Sequence, residues 1–334
     1  MQGNILPLPQ IQDLPLVSVI IPNYNHAKYL KQRIDSVLNQ SYPNFEVIIL
    51  DDCSPDNGKS REIIETYREN KHIAHIVYNE KNSGSTFIQW EKGFELAKGE
   101  WIWIAESDDL CELNFLETLI KISDKSDVIS FCQTFYVDEI GNIINESPSL
   151  LTRFLNLFSH KRFISRHSSK EFIQNNLLFG TTICNASMAI FRKDVAISIP
   201  SDYLNYKAAG DRYFWLLISE RGNIVQCNEK LNYFRQHHNK VSPRCILDGT
   251  TVKEDYLINE YICKTQRIST IRRFLMKCSY YKRYHSTYQN NPKLHSNLSR
   301  YFYANNKLIE IVAPFSPKLI SLLNKISSVL NNFR

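Results

Sequence analysis

The chain predicts an α/β fold, a mostly parallel central sheet flanked by helices, followed by a helical, basic C-terminal extension. Three features predict it. Between residues 17 and 105, short β-branched and aromatic runs alternate with segments of helical period, the pattern of βαβ units. An acidic tetrapeptide, Glu106-Ser107-Asp108-Asp109, directly follows the apolar run Trp101-Ile102-Trp103-Ile104-Ala105. It therefore stands at the carboxyl edge of the sheet, where open α/β folds bind ligands. The last 74 residues carry thirteen lysines and arginines against one acid, Glu310, and show no strand pattern.

Each element follows from its local sequence. Residues 1–16 hold Pro7, Pro9 and Pro15 and read as an irregular lead-in. Val17–Ile21 is a β-branched strand. From about Ala27 to Asn39, Tyr29, Leu30, Ile34, Val37 and Leu38 fall on one helical face. Phe45–Leu50, Ile73–Tyr78 and Trp101–Ala105 are the next strands, with helices at Lys59–Glu69 and Thr86–Ala97 between them. The right-handed crossover rule sets the ends of these strands on one edge. Three loops converge there: Pro22-Asn23-Tyr24-Asn25, Asp51-Asp52-Cys53-Ser54 and the acidic cluster. Asp127–Phe135 reads as a further strand, and residues 140–170 as a long polar loop or lid. Ala189-Ile190-Phe191 is strand-like, Gly210 to about Glu220 a helix, and Leu231–Arg235 a short strand. Beyond about residue 250 only helices are expected.

Composition narrows the function. The 334 residues suffice for one large domain with an appendage, or for two. Eight cysteines are scattered without C-x-x-C spacing, which argues against a zinc site or a disulfide scaffold and fits reduced cytoplasmic thiols. There is no signal-like N-terminus and no apolar run of membrane-spanning length. The net charge of +6 divides into +12 for residues 261–334 and −6 for the rest, so the tail seeks an anionic surface: membrane, nucleic acid or protein.

Three carboxylates within four residues repel one another unless something positive neutralises them. A hard divalent cation bridging to substrate phosphates is one solution. The other is a helix N-terminus, with Asp108 or Asp109 capping a helix from about Cys111.

Five segments carry a resemblance. They are VSVIIPNYNHAKYLKQRIDSVLNQSYPNFEVIILDDCSPD, NSGSTFIQWEKGFELAKGEWIWIAESDDL, NASMAIFRKDV, AGDRYFWLLISERG and LNYFRQHHNKVS. Taken in order, they resemble the inverting family 2 glycosyltransferases, whose nucleotide-sugar-binding fold is the Rossmann-like GT-A fold. The resemblance covers roughly residues 17 to 245. It implies a nucleotide-sugar half at 17–135, an acceptor half at 136–245 and a helical extension at 246–334.

The resemblance also implies roles. Pro22 and Tyr24 line the nucleobase pocket, and Asp52 accepts from the base N3–H while Asp51 braces its loop. Asn82 and Gly84 lie beside the pyrophosphate or sugar, where a glycine lets backbone approach closely. Asp108 contacts ribose or metal and Asp109 the metal, with Mn²⁺ or Mg²⁺ as cofactor. Glu106 departs from the aspartate many relatives carry, and either reaches the metal shell or supports the loop. Asp211 matches the catalytic base, with a helix N-cap beside Gly210 as the alternative. Arg235 and His237 match groups near the diphosphate or its lid, while His238 reads as surface. Trp90 and Trp215 are either sugar-stacking or core, and core is the commoner fate.

The implied activity moves a hexosyl or N-acetylhexosaminyl group from a nucleotide sugar, by default a UDP-sugar, to a glycan or lipid-linked acceptor. A bacterial surface polysaccharide such as a capsule or lipopolysaccharide is the expected product. The alternative is a catalytically inactive nucleotide-binding scaffold or an anionic-surface-binding protein; intact Asp52, Asp108, Asp109 and Asp211 speak against the inactive scaffold. A nucleotidyltransferase would need a glycine-rich phosphate loop after the first strand, and none is present. No nucleic-acid reader motif accompanies the basic tail. After Pro317, Leu319, Ile320, Leu322, Leu323, Ile326, Val329 and Leu330 form one apolar face, which suits a helix in an anionic membrane interface or one packed on the domain. The expected location is cytoplasmic, with peripheral contact at the plasma membrane.

Overall fold

The four alternating strands are present as β1 (Val17–Asn23), β2 (Phe45–Asp51), β3 (Ile73–Tyr78) and β4 (Trp101–Ile104). They are seen in a computed structural model that describes residues 14–144, 163–237, 241–304 and 306–331. β1 pairs in parallel with β2 and with β4, and β2 in parallel with β3. Every residue of β1 and β4 is buried, which is why both read as continuous apolar runs rather than alternating ones.

Five more strands complete the sheet: β5 (Leu110–Cys111), β6 (Asp127–Val137), β7 (Ile164–His167), β8 (Ala189–Arg192) and β9 (Asn223–Arg235). The order is β3-β2-β1-β4-β8-β6-β9-β5, with β7 beside β9. β8 runs antiparallel to β4 and to β6, so the second half of the sheet is mixed. β9 is thirteen residues long, not the short strand 231–235. Its first half carries Gln226, Asn228, Glu229 and Lys230, and its pairing with β6 shifts register between Phe131 and Thr134. That irregularity blurs the period-two signal. β7 falls inside the stretch read as loop 140–170, of which residues 145–162 lie outside the described residues.

Helices cover the sheet. α1 (Ala27–Leu38) buries Tyr29, Leu30, Ile34 and Val37, much as its period predicts. α2 (Lys59–Glu65) is four residues shorter than expected. α3 (Thr86–Leu96) is capped by Ser85, whose hydroxyl accepts from Phe87 N–H at 3.3 Å. A Cβ on its Gly93 would stand 2.6 Å from Ile20, so only glycine lets α3 lie this close to β1. α4 (Phe115–Ile122) begins after Asn114. Cys111 is in β5, so the acidic cluster does not cap a helix from Cys111.

By its contacts the chain divides into two compact units. The first comprises the described residues of Met1–Arg166, Ile183–Pro200 and Arg221–His238, and holds the sheet. The second comprises those of His167–Thr182, Ser201–Glu220 and Asn239–Arg334. It is helical, with α5 (Ser169–Asn175), α6 (Gly210–Ser219), α7 (Thr250–Thr265), α8 (Thr270–Tyr288), α9 (Lys307–Val312) and α10 (Ser316–Asn331) among its helices. Tyr280, Tyr284 and Tyr288 recur every four residues on α8 and are all buried. Two of the three buried hydroxyls are hydrogen-bonded: Tyr288 donates to Ile246 O at 2.7 Å and Tyr284 to the Asp255 carboxylate. Among the described residues, no helix is long and apolar enough to cross a membrane.

Candidate active site

The loops after β1 and β2 are stitched together. Asn23 Nδ2 donates to Asp51 Oδ1 at 2.7 Å and to Ser60 Oγ at 2.9 Å. Asp51 accepts from Ser54 Oγ at 2.7 Å, and Ser54 Oγ accepts from the Asn25 N–H at 2.8 Å. Asn25 and Cys53 both sit in the left-handed region, at φ +58° and +59°. Asparagine tolerates that region better than cysteine, and such residues cost about 1 kcal/mol or more unless their surroundings hold them. Tyr24 is 45% exposed beside them, whereas Pro22 is buried in register with Leu50.

Asp52 is the hub of the next loop. Its carboxylate accepts from Asn79 Nδ2 at 2.6 Å, Ser83 Oγ at 2.6 Å, Ser83 N–H at 2.9 Å and Gln89 Nε2 at 3.0 Å. Its carbonyl accepts from Asn82 Nδ2 at 3.2 Å. Gly84 has φ +78° and donates to Asn82 Oδ1 at 2.7 Å; a Cβ placed on it would meet only that oxygen, at 4.0 Å. The glycine is therefore required by the turn's conformation rather than by crowding.

The acidic loop is tied down from four directions. Glu106 N–H donates to Ser187 Oγ at 3.1 Å, and Glu106 Oε1 accepts from Trp90 Nε1 at 3.2 Å. Ser107 Oγ is 2.9 Å from His26 Nδ1. Asp108 Oδ2 is 2.8 Å from His237 Nε2. Asp109 is buried; it accepts from Ser187 Oγ at 2.7 Å, from the Arg235 N–H at 3.0 Å and from Asn185 Nδ2. β5 makes this possible, since its antiparallel register with Asn232 and Tyr233 brings the end of β9 to the cluster. Arg235 is buried as well, donating to Asp108 O at 2.7 Å, Glu139 O at 2.9 Å and Gln32 Oε1 at 3.1 Å.

Burial makes this crowd of acids expensive to ionise. Burial, then the charges of Asp108 and Asp109, push Glu106 up to about 8. Burial and Asp108 push Asp109 up to about 7. Burial lowers His26, which keeps its imidazole neutral and able to ligate. Arg33 lies below, buried with its guanidinium 4.8 Å from the Trp103 ring, and its charge favours the ionised acids.

One ring nitrogen each from His26 and His237 and one oxygen of Asp108 lie within 4.8 Å of one another. Two imidazoles and a carboxylate form a donor set that fits a divalent cation, and suit Mn²⁺ better than the harder Mg²⁺. Glu106 and Asp109, expected to hold the metal, adjoin this set; both oxygens of Asp109 and Oε1 of Glu106 accept from protein donors.

The second unit holds Asp211 in the first turn of α6, after Ala209 as N-cap, so it is not itself the cap. Burial pushes its carboxyl up to about 6. Two adjacent acids of α7 fix the surrounding backbone. Glu254 accepts from the N–H groups of Lys207, Ala208 and Ala209 at 2.8, 2.9 and 2.8 Å. Asp255 accepts from Arg212 Nη1 at 2.7 Å in a buried ion pair, and Arg212 Nη2 reaches Leu177 O at 2.6 Å and Asn259 Oδ1 at 2.7 Å.

Several of these residues escape sequence reasoning. His26 stands just before α1 with no sequence signal of a ligand; its side chain makes no cap bond, and its Nδ1 lies 2.9 Å from Ser107 Oγ. Asn185 and Ser187 lie in the quoted segment NASMAIFRKDV, which carries no signal of a carboxylate partner some 76 residues away. Trp90 and Trp215 are buried, as core aromatics are. His238 lies outside the described residues.

Comparison with known proteins adds to this geometry. The model of Glycosyl transferase family 2 matches residues 18–199. The putative teichuronic acid biosynthesis glycosyltransferase TuaG of Bacillus subtilis is 30% identical over 231 residues, 68% of this chain and 82% of that protein. The poly(ribitol-phosphate) beta-N-acetylglucosaminyltransferase TarP of Staphylococcus aureus is 36% identical over 117 residues, 34% of this chain and 35% of that one. Among solved structures, S. aureus TarS 1–349 in complex with UDP-GlcNAc superposes with a TM-score of 0.63 at 17% identity, covering 92% of this chain and 88% of the other. The mannosyltransferase PcManGT of Pyrobaculum calidifontis, in complex with GDP-Man and Mn²⁺, gives 0.54 at 14% identity, with 97% and 82% covered.

Proposed function

The chain belongs to glycosyl transferase family 2, and on that premise we propose that it transfers a sugar from a UDP-sugar, with inversion, to a hydroxyl of a surface-polymer precursor. The observation that carries this reading is the convergence of His26, Asp108 and His237 at the carboxyl edge of the sheet. The UDP-GlcNAc held by TarS supports uridine diphosphate as the carrier, and the teichuronic acid and poly(ribitol-phosphate) of TuaG and TarP support a polymeric product.

In this reading Tyr24 meets the uracil, and Asp52 holds the 79–89 loop that frames it with Pro22, Asn82 and Gly84. Asp108, His26 and His237 hold the cation, Mn²⁺ in preference to Mg²⁺. When bound, the cation supplies positive charge to the diphosphate. Asp109 and Arg235 keep Asp108 in place, and Glu106 supports the loop through Trp90. Asp211 is the base. The acceptor oxygen bonds to the anomeric carbon, the bond from that carbon to the diphosphate oxygen breaks, and the hydroxyl proton passes to Asp211. One displacement exchanges one bond for another at the carbon and so inverts it.

Calorimetric titration with UDP, GDP and dTDP in Mn²⁺ tests the donor. UDP alone is expected to bind in the micromolar range. Preference for GDP or dTDP would overturn the uridine assignment.

A further inference from the structure

The last two helices carry apolar side chains on two faces. Ile309, Ala313 and Ser316 point inward and are buried. Asn324 anchors α10 within its own unit: Nδ2 donates to Asn175 O at 3.1 Å, and Oδ1 accepts from Arg272 at 3.1 Å. The outward face repeats the same period. Leu308, Ile311, Phe315, Leu319, Leu322 and Ile326 are exposed by 59, 67, 60, 39, 56 and 49%. A short 3-10 turn, Ala313–Phe315, carries the row from α9 into α10.

Exposed apolar side chains scattered singly need no explanation, but a contiguous row does. The spacing of three, four, four, three and four residues averages about 3.6, so the row runs straight along the helices and suits a flat partner rather than a supercoiled one. Lys307, Lys318 and Lys325, eleven and seven residues apart, run along one edge and are exposed. Glu310 is the lone acid from residue 261 onward.

We propose that α9 and α10 lie in the plane of an anionic lipid bilayer, with the outward row among the acyl chains and the lysine edge among the phosphates. The charge selects this occupant. Lysines beside an apolar row place their stems along it and their ammonium groups in the headgroup layer, and each gains from the negative surface potential. The structure divides the face expected from the sequence: Leu319, Leu322 and Ile326 point outward, while Ile320 and Leu323 are half-buried. Membrane contact would serve a lipid-linked acceptor, although the contact itself does not rest on the donor or the base.

Vesicle flotation of the full chain tests the proposal. The protein should float with vesicles of equal phosphatidylglycerol and phosphatidylcholine, and far less with phosphatidylcholine alone. Ile311→Ser with Leu322→Ser should weaken partitioning on the order of a hundredfold. Lys307→Gln, Lys318→Gln and Lys325→Gln together should weaken it on the order of a hundredfold on the anionic vesicles only. All five positions are exposed, so thermal melting and Mn²⁺-dependent UDP binding should not change in either variant. A wild-type chain that stays in solution would overturn the proposal, as would variants that float like wild type. A dimer in light scattering that Ile311→Ser with Leu322→Ser breaks would overturn it in favour of a second copy of the chain.

Discussion

His237 Nε2 lies 2.8 Å from an oxygen of Asp108, joining the end of β9 to the loop after β4. The adjacent Asp109 turns inward and spends its oxygens on Ser187, Asn185 and the Arg235 backbone. Two neighbouring aspartates thus divide the work: one faces His26 and His237, and the other holds the loop. The partner of each is fixed by strand register rather than by sequence proximity.

His237→Ala and His26→Ala are predicted to weaken UDP binding in Mn²⁺ about tenfold each, while binding without metal changes little. Calorimetry of each variant with and without Mn²⁺ checks this. Equal loss in both conditions would assign the histidines to the nucleotide instead.

Ser187→Ala removes a hydroxyl donor from a buried carboxylate, which costs about 1–3 kcal/mol. Thermal melting should therefore drop by several degrees. An unchanged melting point would mean that Asp109 does not depend on this donor.

Asp211 has its carboxyl raised from 3.8 to about 6 by burial. The native state therefore binds the proton more tightly than the unfolded chain, so the buried charge destabilises the fold as pH rises from about 4 through 6. Asp211→Asn should stabilise the protein at neutral pH, by roughly 1–2 kcal/mol after screening by the water Asp211 still meets. The same variant should lose transfer while keeping UDP affinity. Wild-type transfer should decline as pH falls below about 6, when the base becomes protonated. Transfer that persists in Asp211→Asn would point to a different base.

Arg212 and Asp255 form a buried pair in the second unit. Arg212→Met or Asp255→Asn removes one half of this pair while the other keeps further contacts, Arg283 and Tyr284 for Asp255 and Leu177 O and Asn259 for Arg212. Each should therefore cost about 3 kcal/mol, the low end for a broken buried pair. Arg212→Met with Asp255→Asn together should cost less than the sum of the two single losses, which urea unfolding of the four proteins measures. Simple additivity would show that the two residues are not coupled.

Much of this was legible in the sequence, and the reason is periodicity. β1, β2, β4 and α1 announce themselves because a buried parallel strand is almost wholly apolar and a surface helix is apolar on one stripe. The edge strand β3, with no fully buried residue, is marked by its β-branched residues. The same alternation brings Asn23, Asp52 and Asp108 to one edge. What stayed hidden depends on long-range register. β9 is irregular and half polar, so neither its length nor the bonds that join Arg235 and His237 to the acidic loop could be read, although the resemblance set both residues near the diphosphate. Nor could the adjoining acids Glu254 and Asp255, which look like an ordinary solvated pair on a helix until Arg212 and the 207–209 backbone are seen against them.

The most direct measurement is electron paramagnetic resonance of Mn²⁺ titrated into the protein with UDP, for wild type and Asp108→Asn. The account predicts that wild type takes up one Mn²⁺ in the presence of UDP and that Asp108→Asn leaves it free in solution. Uptake by Asp108→Asn equal to wild type would contradict the assignment of the cation to Asp108, His26 and His237.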